Sequence, residues 1–381
     1  MEDREALRSY LELLREEDGG TSPRYGRVMT HLERKARALH HPLCGQFELT
    51  PLCNLSCVMC YVRLEGEQLR GAKLLSVEQW KGLMQEAFSA GMLEATLTGG
   101  ECLAYPGFDE LFLFLQDLGC PITVMTNGVL LDEDRLRFFE EHPPALIQAT
   151  LYGPSEDAYE RVTGRRVFQR VAENLRRVKE AGLPLTVSVT PNRTLGEDVF
   201  ETIRLAKSLS GEVFINTGLF TPRGETWRRG ASEDPDAEFY ARVLRFRKEL
   251  EGASLREIPL EELPEPGGDG GEDPGCGLEC GGGRSCFVAD WRGRLRICNR
   301  MEAAENALEL GFAEAWKRIG RAAEAWPRVA ECRGCPYEPV CDRCAANARE
   351  YAPPGSRPEE YCRRVRYMVS RGVLSASRCG L

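Results

Sequence analysis

Apolar and polar residues repeat with two different periods along the chain between Gln46 and about Gly224. Short, mostly apolar segments predict β-strands, and apolar residues at helical spacing predict helices with one buried face. The predicted strands cover 46–50, 94–98, 122–126, 145–151, 185–190 and 213–216. The predicted helices include one that starts at a capping box formed by Ser76 and Gln79, and others over 108–118, 168–181 and 197–209.

Six strand–helix units in succession predict an α/β protein whose parallel sheet is wrapped by helices. This sheet is either a partial barrel or doubly wound, and in both arrangements functional groups lie at the carboxyl ends of the strands. Three loops directly follow predicted strands, namely 53–60, Gly99-Gly100 and Asn127-Gly128. We therefore expect these loops to meet at one edge of the sheet.

The rest of the chain differs from this repeating region in composition. A charged helix is predicted over 232–251, followed by a segment rich in Pro, Gly and Asp, and then by short strands with dense cysteines. The predicted division is an N-terminal helical extension, a core domain, a helix with a linker, a small cysteine-rich domain and a tail: 1–43, 44–230, 231–275, 276–365 and 366–381.

Composition and charge restrict the class of protein. Of the 381 residues, 42% are hydrophobic and 29% are charged, which is ordinary for a globular protein. The net charge of −9 argues against general affinity for nucleic acid or anionic membranes, because both attract basic surfaces. We find no apolar segment long enough to span a membrane and no signal peptide at the charged start of the chain, so we expect a cytoplasmic protein.

The 16 cysteines require an explanation other than disulfides, because cytoplasmic thiols are kept reduced. Three of them lie between 53 and 60, and nine lie between 276 and 362. Such clustering is typical of metal binding, since ligands must converge within a few ångströms. The sequence therefore predicts two metal-binding regions.

The first region spaces Cys53, Cys57 and Cys60 as C-x3-C-x2-C. Three thiolates leave one iron of a four-iron cluster without a protein ligand, and an open metal position indicates catalysis. The alternative is a zinc site, which needs a fourth ligand. No histidine follows the motif closely, and His40 and His41 precede it as candidates.

This motif, with Met59 before its last cysteine and Tyr61 after it, resembles the signature of the radical S-adenosylmethionine (radical SAM) superfamily. The resemblance implies a partial (βα)6 TIM-like barrel that binds S-adenosylmethionine and a 4Fe–4S cluster. It implies cofactor-binding roles for Met59, Tyr61, the Gly99-Gly100-Glu101 turn that receives the methionine amino group, and Thr150 near the ribose hydroxyls. The alternative for Thr150 is to face the core of the sheet. Cys102 stands where the family usually has proline, and we expect it to be a small buried residue.

The chemistry implied by the resemblance is reductive cleavage of the sulfonium, which yields methionine and a 5′-deoxyadenosyl radical that abstracts a hydrogen atom from the substrate. An electron donor such as flavodoxin or ferredoxin is implied as a partner. The arginine that binds the methionine carboxylate in the family is Arg161, Arg165 or Arg166, and the sequence does not choose among them. It also identifies no acid–base residue.

The second cysteine-rich region is similar to the SPASM domain, which follows the barrel in many peptide-modifying radical SAM enzymes. One interval departs from the pattern, because two residues separate Cys341 from Cys344 where the best-known members have three. By resemblance, one auxiliary cluster is held by Cys332, Cys335, Cys341 and Cys362. The other is held by Cys280, Cys298, Cys344 and an upstream cysteine, for which we choose Cys276 over Cys286. The alternative is a pair of zinc sites, because C-x2-C pairs also occur in zinc ribbons.

Proteins with this pair of domains typically modify peptides or protein side chains. Sulfatase-maturing enzymes carry an aspartate base directly after the cysteine of a G-x4-C motif, where this chain has Asn299, which cannot accept a proton. We therefore expect an enzyme that matures a ribosomally made peptide by a crosslink, thioether or epimerisation. The alternatives are a sulfatase-maturase-like protein oxidase, a small-molecule radical SAM dehydrogenase and a non-enzymatic zinc-ribbon adaptor.

Overall fold

The structure is a computed structural model that describes residues 25–62, 73–220, 233–267, 277–278, 280–341 and 344–374. Its strands are β1 (Cys44–Glu48), β2 (Glu94–Thr98), β3 (Ile122–Thr126), β4 (Leu146–Leu151), β5 (Leu185–Val189), β6 (Glu212–Ile215), β7 (Cys286–Ala289), β8 (Arg294–Arg296) and β9 (Ala304–Asn306). Its α-helices are α1 (Tyr25–Leu39), α2 (Val77–Ser89), α3 (Phe108–Asp117), α4 (Glu133–Glu141), α5 (Glu156–Thr163), α6 (Phe168–Glu180), α7 (Asp198–Leu209), α8 (Ala237–Leu250), α9 (Ala307–Leu310), α10 (Phe312–Glu324), α11 (Ala345–Arg349) and α12 (Glu359–Ser370). Within this described part, no helix combines the length and apolar character that crossing a membrane requires.

The first six strands lie side by side in chain order, and every neighbouring pair is parallel. A doubly wound sheet reverses its order at a switch point, whereas a barrel winds in one direction. This order therefore identifies a partial barrel, open at β6, and confirms the predicted fold class.

The sheet continues into the cysteine-rich region. Strand β7 pairs in parallel with β1, with Cys286 opposite Cys44, and β8 and β9 extend the sheet as antiparallel strands. Nine strands thus form one sheet, and backbone hydrogen bonds join the C-terminal region to the core. The domain boundaries predicted from composition stay predictions.

Helices begin where side chains satisfy backbone N–H groups at the first turn. The Ser76 hydroxyl accepts from the Gln79 N–H at 3.2 Å, and the Gln79 side chain accepts from the Ser76 N–H at 3.0 Å, as the predicted capping box requires. Asp132, Ser155 and Asp236 cap α4, α5 and α8 through the same kind of bond. Each such cap stabilises the fold by about 1 kcal/mol.

The core lies between the outer face of the sheet and the helices. Phe47 on β1 is fully buried, and its ring meets those of Trp80 and Phe287 edge-on, with centroids 6.0 and 5.8 Å away. These contacts tie β1 to α2 and to β7. Because side chains alternate along a strand, the other face of β1 and its neighbours lines the inside of the barrel.

The predicted strands lie within two residues of those observed, but several helices were not predicted. Helices α4 and α5 lie between predicted strands, and α10 and α12 lie where we expected weak periodicity. Part of the predicted N-terminal extension, residues 1–24, lies outside the described residues.

Candidate functional site

The loops after β1 and β2 meet at the carboxyl edge of the sheet, as expected. The Gly100 N–H donates to the Thr50 carbonyl at 2.7 Å, and the Glu101 N–H donates to the Leu52 carbonyl at 2.9 Å. These bonds fix the chain immediately before Cys53 against the turn that follows β2.

The close approach explains the two glycines of this turn. A Cβ atom on Gly99 would lie 2.4 Å from the Thr50 carbonyl oxygen, and one on Gly100 would lie 2.4 Å from that of Leu52. Gly99 also has a φ of +146°, which residues with a side chain rarely adopt. A larger residue at either position would therefore push the Cys53 loop away.

The carboxylate of Glu101 connects this turn to the loop after β3. It is fully buried and accepts from the Thr126 hydroxyl at 2.8 Å, the Asn127 N–H at 2.8 Å and the Leu103 N–H at 3.1 Å. Burial raises the pKa of Glu101, while these hydrogen bonds act in the opposite direction. The carboxylate thus fixes the fold of the site, and its predicted contact with a methionine amino group stays a prediction.

Asn127 connects Glu101 to the first cysteine. Its side-chain nitrogen donates to the Asn54 side-chain oxygen at 2.6 Å and lies 3.6 Å from the Cys53 sulfur. The same sulfur accepts from the Leu55 N–H at 3.5 Å. Sequence reasoning explained the Asn127-Gly128 pair by turn chemistry and missed this contact, which forms because the loops that follow β1 and β3 meet.

A helix supports the cysteine loop from the other side. The Ser56 N–H donates to the Thr163 carbonyl at 2.8 Å, and the Val58 N–H donates to the Val162 carbonyl at 3.0 Å. Both carbonyls belong to the last turn of α5, where no helical partner is left for them. The loop is therefore held by backbone bonds on two sides.

The three thiols of the motif are close neighbours. Burial raises the pKa of Cys53 to about 11 and raises that of Cys57 further, and in both cases nearby thiols of the motif add to the rise. Tyr152, directly after β4, lies beside Cys57, and its own pKa is raised by burial and by all three thiols. Sequence reasoning missed Tyr152, because its place directly after a predicted strand is the only clue to its role in the sequence.

Three free thiols at the carboxyl edge of the sheet provide the protein ligands of a four-iron cluster, in which each thiolate binds a different iron. Cys53, Cys57 and Cys60 are the residues that would hold it.

The other predicted cofactor contacts lie around this loop. Thr150 is half-buried and alternates with the fully buried Ala149 and Leu151, so it faces the inside of the barrel rather than the helix-covered core. Met59 packs against the core, and the Tyr61 ring meets that of Phe220 edge-on at 6.4 Å. Their roles toward S-adenosylmethionine stay predictions.

The three candidate arginines lie at or just after the end of α5. Arg161 pairs with Asp198, and Arg166 pairs with Asp157 and Glu160. For Arg165, no ion pair is found among the described residues. Its N–H lies 3.3 Å from the hydroxyl of Thr163, the residue whose carbonyl supports the cysteine loop.

Two pairs of cysteines in the C-terminal region interact electrostatically. Burial raises the pKa of Cys298, and the charge of Cys280 adds to the rise. Likewise burial raises the pKa of Cys362, with a contribution from Cys335. Both pairs agree with the two predicted ligand sets. The ligand assignments themselves, including those of Cys332, Cys341 and Cys344, stay predictions.

The position of Cys286 bears on which upstream cysteine joins Cys280, Cys298 and Cys344 in the second predicted ligand set. Cys276, our first choice, is outside the described residues. Cys286, the runner-up, lies opposite Cys44 on the neighbouring strand, and its sulfur lies 3.7 Å from the Ser285 hydroxyl. Cys102 is fully buried and donates to the Met125 carbonyl at 3.2 Å, in agreement with the expected packing role.

The C-terminal region covers the site directly. The side chain of Asn299, one residue after Cys298, donates to the Tyr61 hydroxyl at 2.8 Å. Tyr61 follows the last cysteine of the catalytic motif, so the two predicted metal-binding regions meet here. Asn299 thus lies at the site, where it donates a hydrogen bond.

Comparison with known proteins identifies the core of the chain. Residues 47–206 match the model of the family described as the Radical SAM superfamily. The match covers β1 to α7 and includes all residues of the cysteine loop. It confirms the predicted radical SAM domain.

Two curated relatives differ in their substrates. An AdoMet-dependent heme synthase of Methanosarcina barkeri (strain Fusaro / DSM 804) is 25% identical over 83% of this chain and 95% of its own length. A PqqA peptide cyclase of Gluconobacter oxydans (strain 621H) is 32% identical over 44% of this chain. The chain spans only 47% of that cyclase's length.

A solved structure shares the fold along most of the chain. Streptococcus suis SuiB bound to the precursor peptide SuiA superimposes with a TM-score of 0.64 at 15% identity, over 94% of this chain and 89% of that one. The likeness therefore extends beyond the barrel into the cysteine-rich C-terminal region, as the predicted SPASM-type architecture requires.

Proposed function

We propose that this chain, which is a radical SAM enzyme, uses the cluster held by Cys53, Cys57 and Cys60 to modify a peptide. When bound, the cluster and S-adenosylmethionine supply a 5′-deoxyadenosyl radical that abstracts a hydrogen atom from the substrate. The residues around the cysteine loop position its thiols, and the C-terminal region covers this loop through Asn299.

The observation that carries the proposal is the convergence of four strand ends on one three-cysteine loop. The turns after β2 and β3 bind this loop through Gly100 and Asn127, and Tyr152 after β4 lies beside Cys57. A loop that served only as a turn would not need three thiols at the edge where parallel sheets place their chemistry.

A peptide substrate is supported by two relatives. The cyclase acts on the PqqA peptide, and SuiB was solved with its precursor peptide SuiA, with a fold like that of this chain. The proposed modification is a crosslink, a thioether or an epimerisation of the peptide, without a choice among the three. A cytoplasmic location and a flavodoxin or ferredoxin as electron donor complete it.

A second candidate is a tetrapyrrole substrate. A curated relative that this chain covers over 95% of its length is a heme synthase. The match spans 83% of this chain, so likeness to a peptide-modifying enzyme does not by itself select a peptide substrate. The observation favours a small-molecule radical SAM reaction as the alternative to peptide maturation.

The C-terminal cysteines are proposed to hold two auxiliary clusters. The grouping of Cys280 with Cys298 and of Cys335 with Cys362 supports two sites. Fully ligated clusters suit electron transfer or structural support rather than substrate binding.

One experiment tests the proposal and separates the two candidates. The anaerobically reconstituted, reduced enzyme is incubated with S-adenosylmethionine and either short peptides encoded next to its gene or porphyrins with propionate side chains. Mass spectrometry then measures the substrate. A mass change in a peptide supports the proposal, a change only in a porphyrin supports the second candidate, and 5′-deoxyadenosine without any change in either class contradicts both.

A further inference from the structure

Five residues form a cluster at the mouth of the barrel, here called the Arg300 cluster: Tyr61, Phe220, Asn299, Arg300 and Asn347. Tyr61 belongs to the loop after β1, and Phe220 follows β6. These strands are the first and the last of the six barrel strands, yet the two rings meet edge-on at 6.4 Å. The Arg300 cluster therefore spans the opening of the barrel, beside the catalytic cysteine loop.

The guanidinium of Arg300 is held mainly by an aromatic ring. Its central carbon lies 3.7 Å from the centroid of the Phe220 ring, and one terminal nitrogen lies 3.4 Å from the Asn347 side-chain oxygen. Its backbone N–H lies 3.4 Å from the Cys298 sulfur. A cation stacked on a ring is oriented, while its hydrogen-bond donors point outward around the edge of the plane.

Arg300 differs from its neighbours in charge pairing. Arg296 is bonded to the buried Asp290, and Arg349 pairs with Glu302 at 2.6 Å. Among the residues that the structure describes, none of the carboxylates pairs with Arg300. A half-buried guanidinium with one long hydrogen bond has most of its five donors available.

A substrate carboxylate would complete this site. The planar fork of an arginine binds a carboxylate through two parallel hydrogen bonds, which orients the bound group as well as holding it. Asn299, the preceding residue, contacts Tyr61 beside the catalytic loop, so a group held by Arg300 would lie next to this loop.

We propose that Arg300 binds a carboxylate of the substrate and orients the substrate toward the catalytic loop. This inference rests on the proposed function and deepens it by giving the chemistry that selects the substrate. The carboxylate belongs either to an acidic residue of a peptide or to a propionate of a tetrapyrrole, and both sources present the same group.

The test measures binding by the cluster-loaded, oxidised enzyme with S-adenosylmethionine, so that no turnover occurs. The peptide probes are two pools of capped peptides with neutral residues around a central Glu or a central Gln. The tetrapyrrole probes are heme and its dimethyl ester. Equilibrium dialysis gives the ratio of affinities within each pair for the wild type, for Arg300→Gln and Arg300→Lys, and for the control Arg292→Gln, which changes an exposed arginine on the β7–β8 turn.

We expect the wild type and Arg292→Gln to prefer the carboxylate member of one pair by about 10- to 100-fold, the range for a charge-assisted pair of hydrogen bonds. Arg300→Gln should remove that preference, and Arg300→Lys should restore only part of it. The probe pair whose preference is lost in Arg300→Gln shows whether the carboxylate belongs to a peptide or to a tetrapyrrole. No preference in the wild type, or an unchanged preference in Arg300→Gln, overturns the proposal. Equal loss for both members would assign Arg300 a structural role instead and also overturn it.

The binding test on Arg300 can succeed even where the proposed function fails, because it requires no cleavage of S-adenosylmethionine. An enzyme that binds carboxylates through Arg300 but yields no 5′-deoxyadenosine would contradict the proposed function alone.

Discussion

At the scale of single residues, the site depends on side chains that position the cysteine ligands. Glu101 holds the backbone of Asn127, and the side chain of Asn127 reaches the Cys53 sulfur and Asn54. Residues of this kind orient metal ligands and tune the metal through hydrogen bonds to sulfur.

Asn127→Ala removes this donor and should lower the rate of S-adenosylmethionine cleavage by about 10- to 100-fold, the usual cost of losing a residue that supports a metal ligand. The measurement is 5′-deoxyadenosine formation, with iron content determined on the same sample. Asn306→Ala, which removes the cap of α9 away from this loop, is the control. A rate equal to that of the wild type would exclude Asn127 from the site.

Asp290 gives a prediction for the pH dependence of stability. It is fully buried between Arg294 and Arg296, and although burial raises its pKa, these two partners outweigh the effect and leave the pKa lowered. The stabilisation is therefore complete above the pKa of an unfolded Asp, about 3.9, and is lost as the pH falls through the lower folded value.

Asp290→Asn should destabilise the protein by about 3–5 kcal/mol at pH 7, because it leaves the buried Arg296 and the partly buried Arg294 without a counter-charge. Thermal unfolding at pH 7, 5 and 4 and below measures the difference from the wild type, which should shrink only below about pH 4. Asp134→Asn, in an exposed ion pair with Arg137, should change little at any pH. A difference that grows toward low pH would reverse the assigned sign.

At the scale of secondary structure elements, the strands were predictable and the helices less so. Strands such as β2 and β3 alternate or concentrate apolar residues, because one face is buried under helices, and their bounds matched the prediction. Helix α4 was missed because it is short and its first turn is charged, with Phe139 its only buried residue. The contact of Asn127 with Cys53 was missed because it joins two loops that are distant in sequence.

The close approach of the backbone at the turn after β2 can be tested by comparing alanine substitutions at Gly100 and at a control glycine, Gly82. Gly100→Ala should destabilise the protein by about 1–3 kcal/mol, because the new methyl group would overlap the Leu52 carbonyl. Gly82→Ala, in helix α2 with no atom near its added Cβ, should instead stabilise it by about 0.5–1 kcal/mol. Thermal unfolding compares both, and equal effects would contradict the close approach.

At the scale of the whole molecule, one sheet carries both predicted metal regions. The C-terminal strands extend the barrel sheet from β1, and Asn299 reaches Tyr61 beside the catalytic loop. The cysteine spacings predicted the two regions, but the sequence could not reveal that they meet, because β7 is separated from β1 by the entire barrel. The opening spanned by Phe220 and Tyr61 depends on the curvature of the sheet, which no local pattern encodes.

Iron content tests the C-terminal assignment. Three four-iron clusters predict about 12 iron and 12 sulfide per chain after anaerobic reconstitution, and Cys57→Ala should retain about 8 iron. Cys120→Ser, a buried cysteine outside both regions, should keep the full content. Iron near 4 in the wild type would remove the clusters from the C-terminal region, and tightly bound zinc there would support the zinc alternative.

The most direct measurement of the central claim is the product formed from S-adenosylmethionine by the reconstituted, dithionite-reduced protein without substrate. We predict 5′-deoxyadenosine and methionine in equal amounts, and neither product with Cys57→Ala. A protein that retains a reducible four-iron cluster but forms no 5′-deoxyadenosine, or a Cys57→Ala variant that forms as much as the wild type, would contradict it.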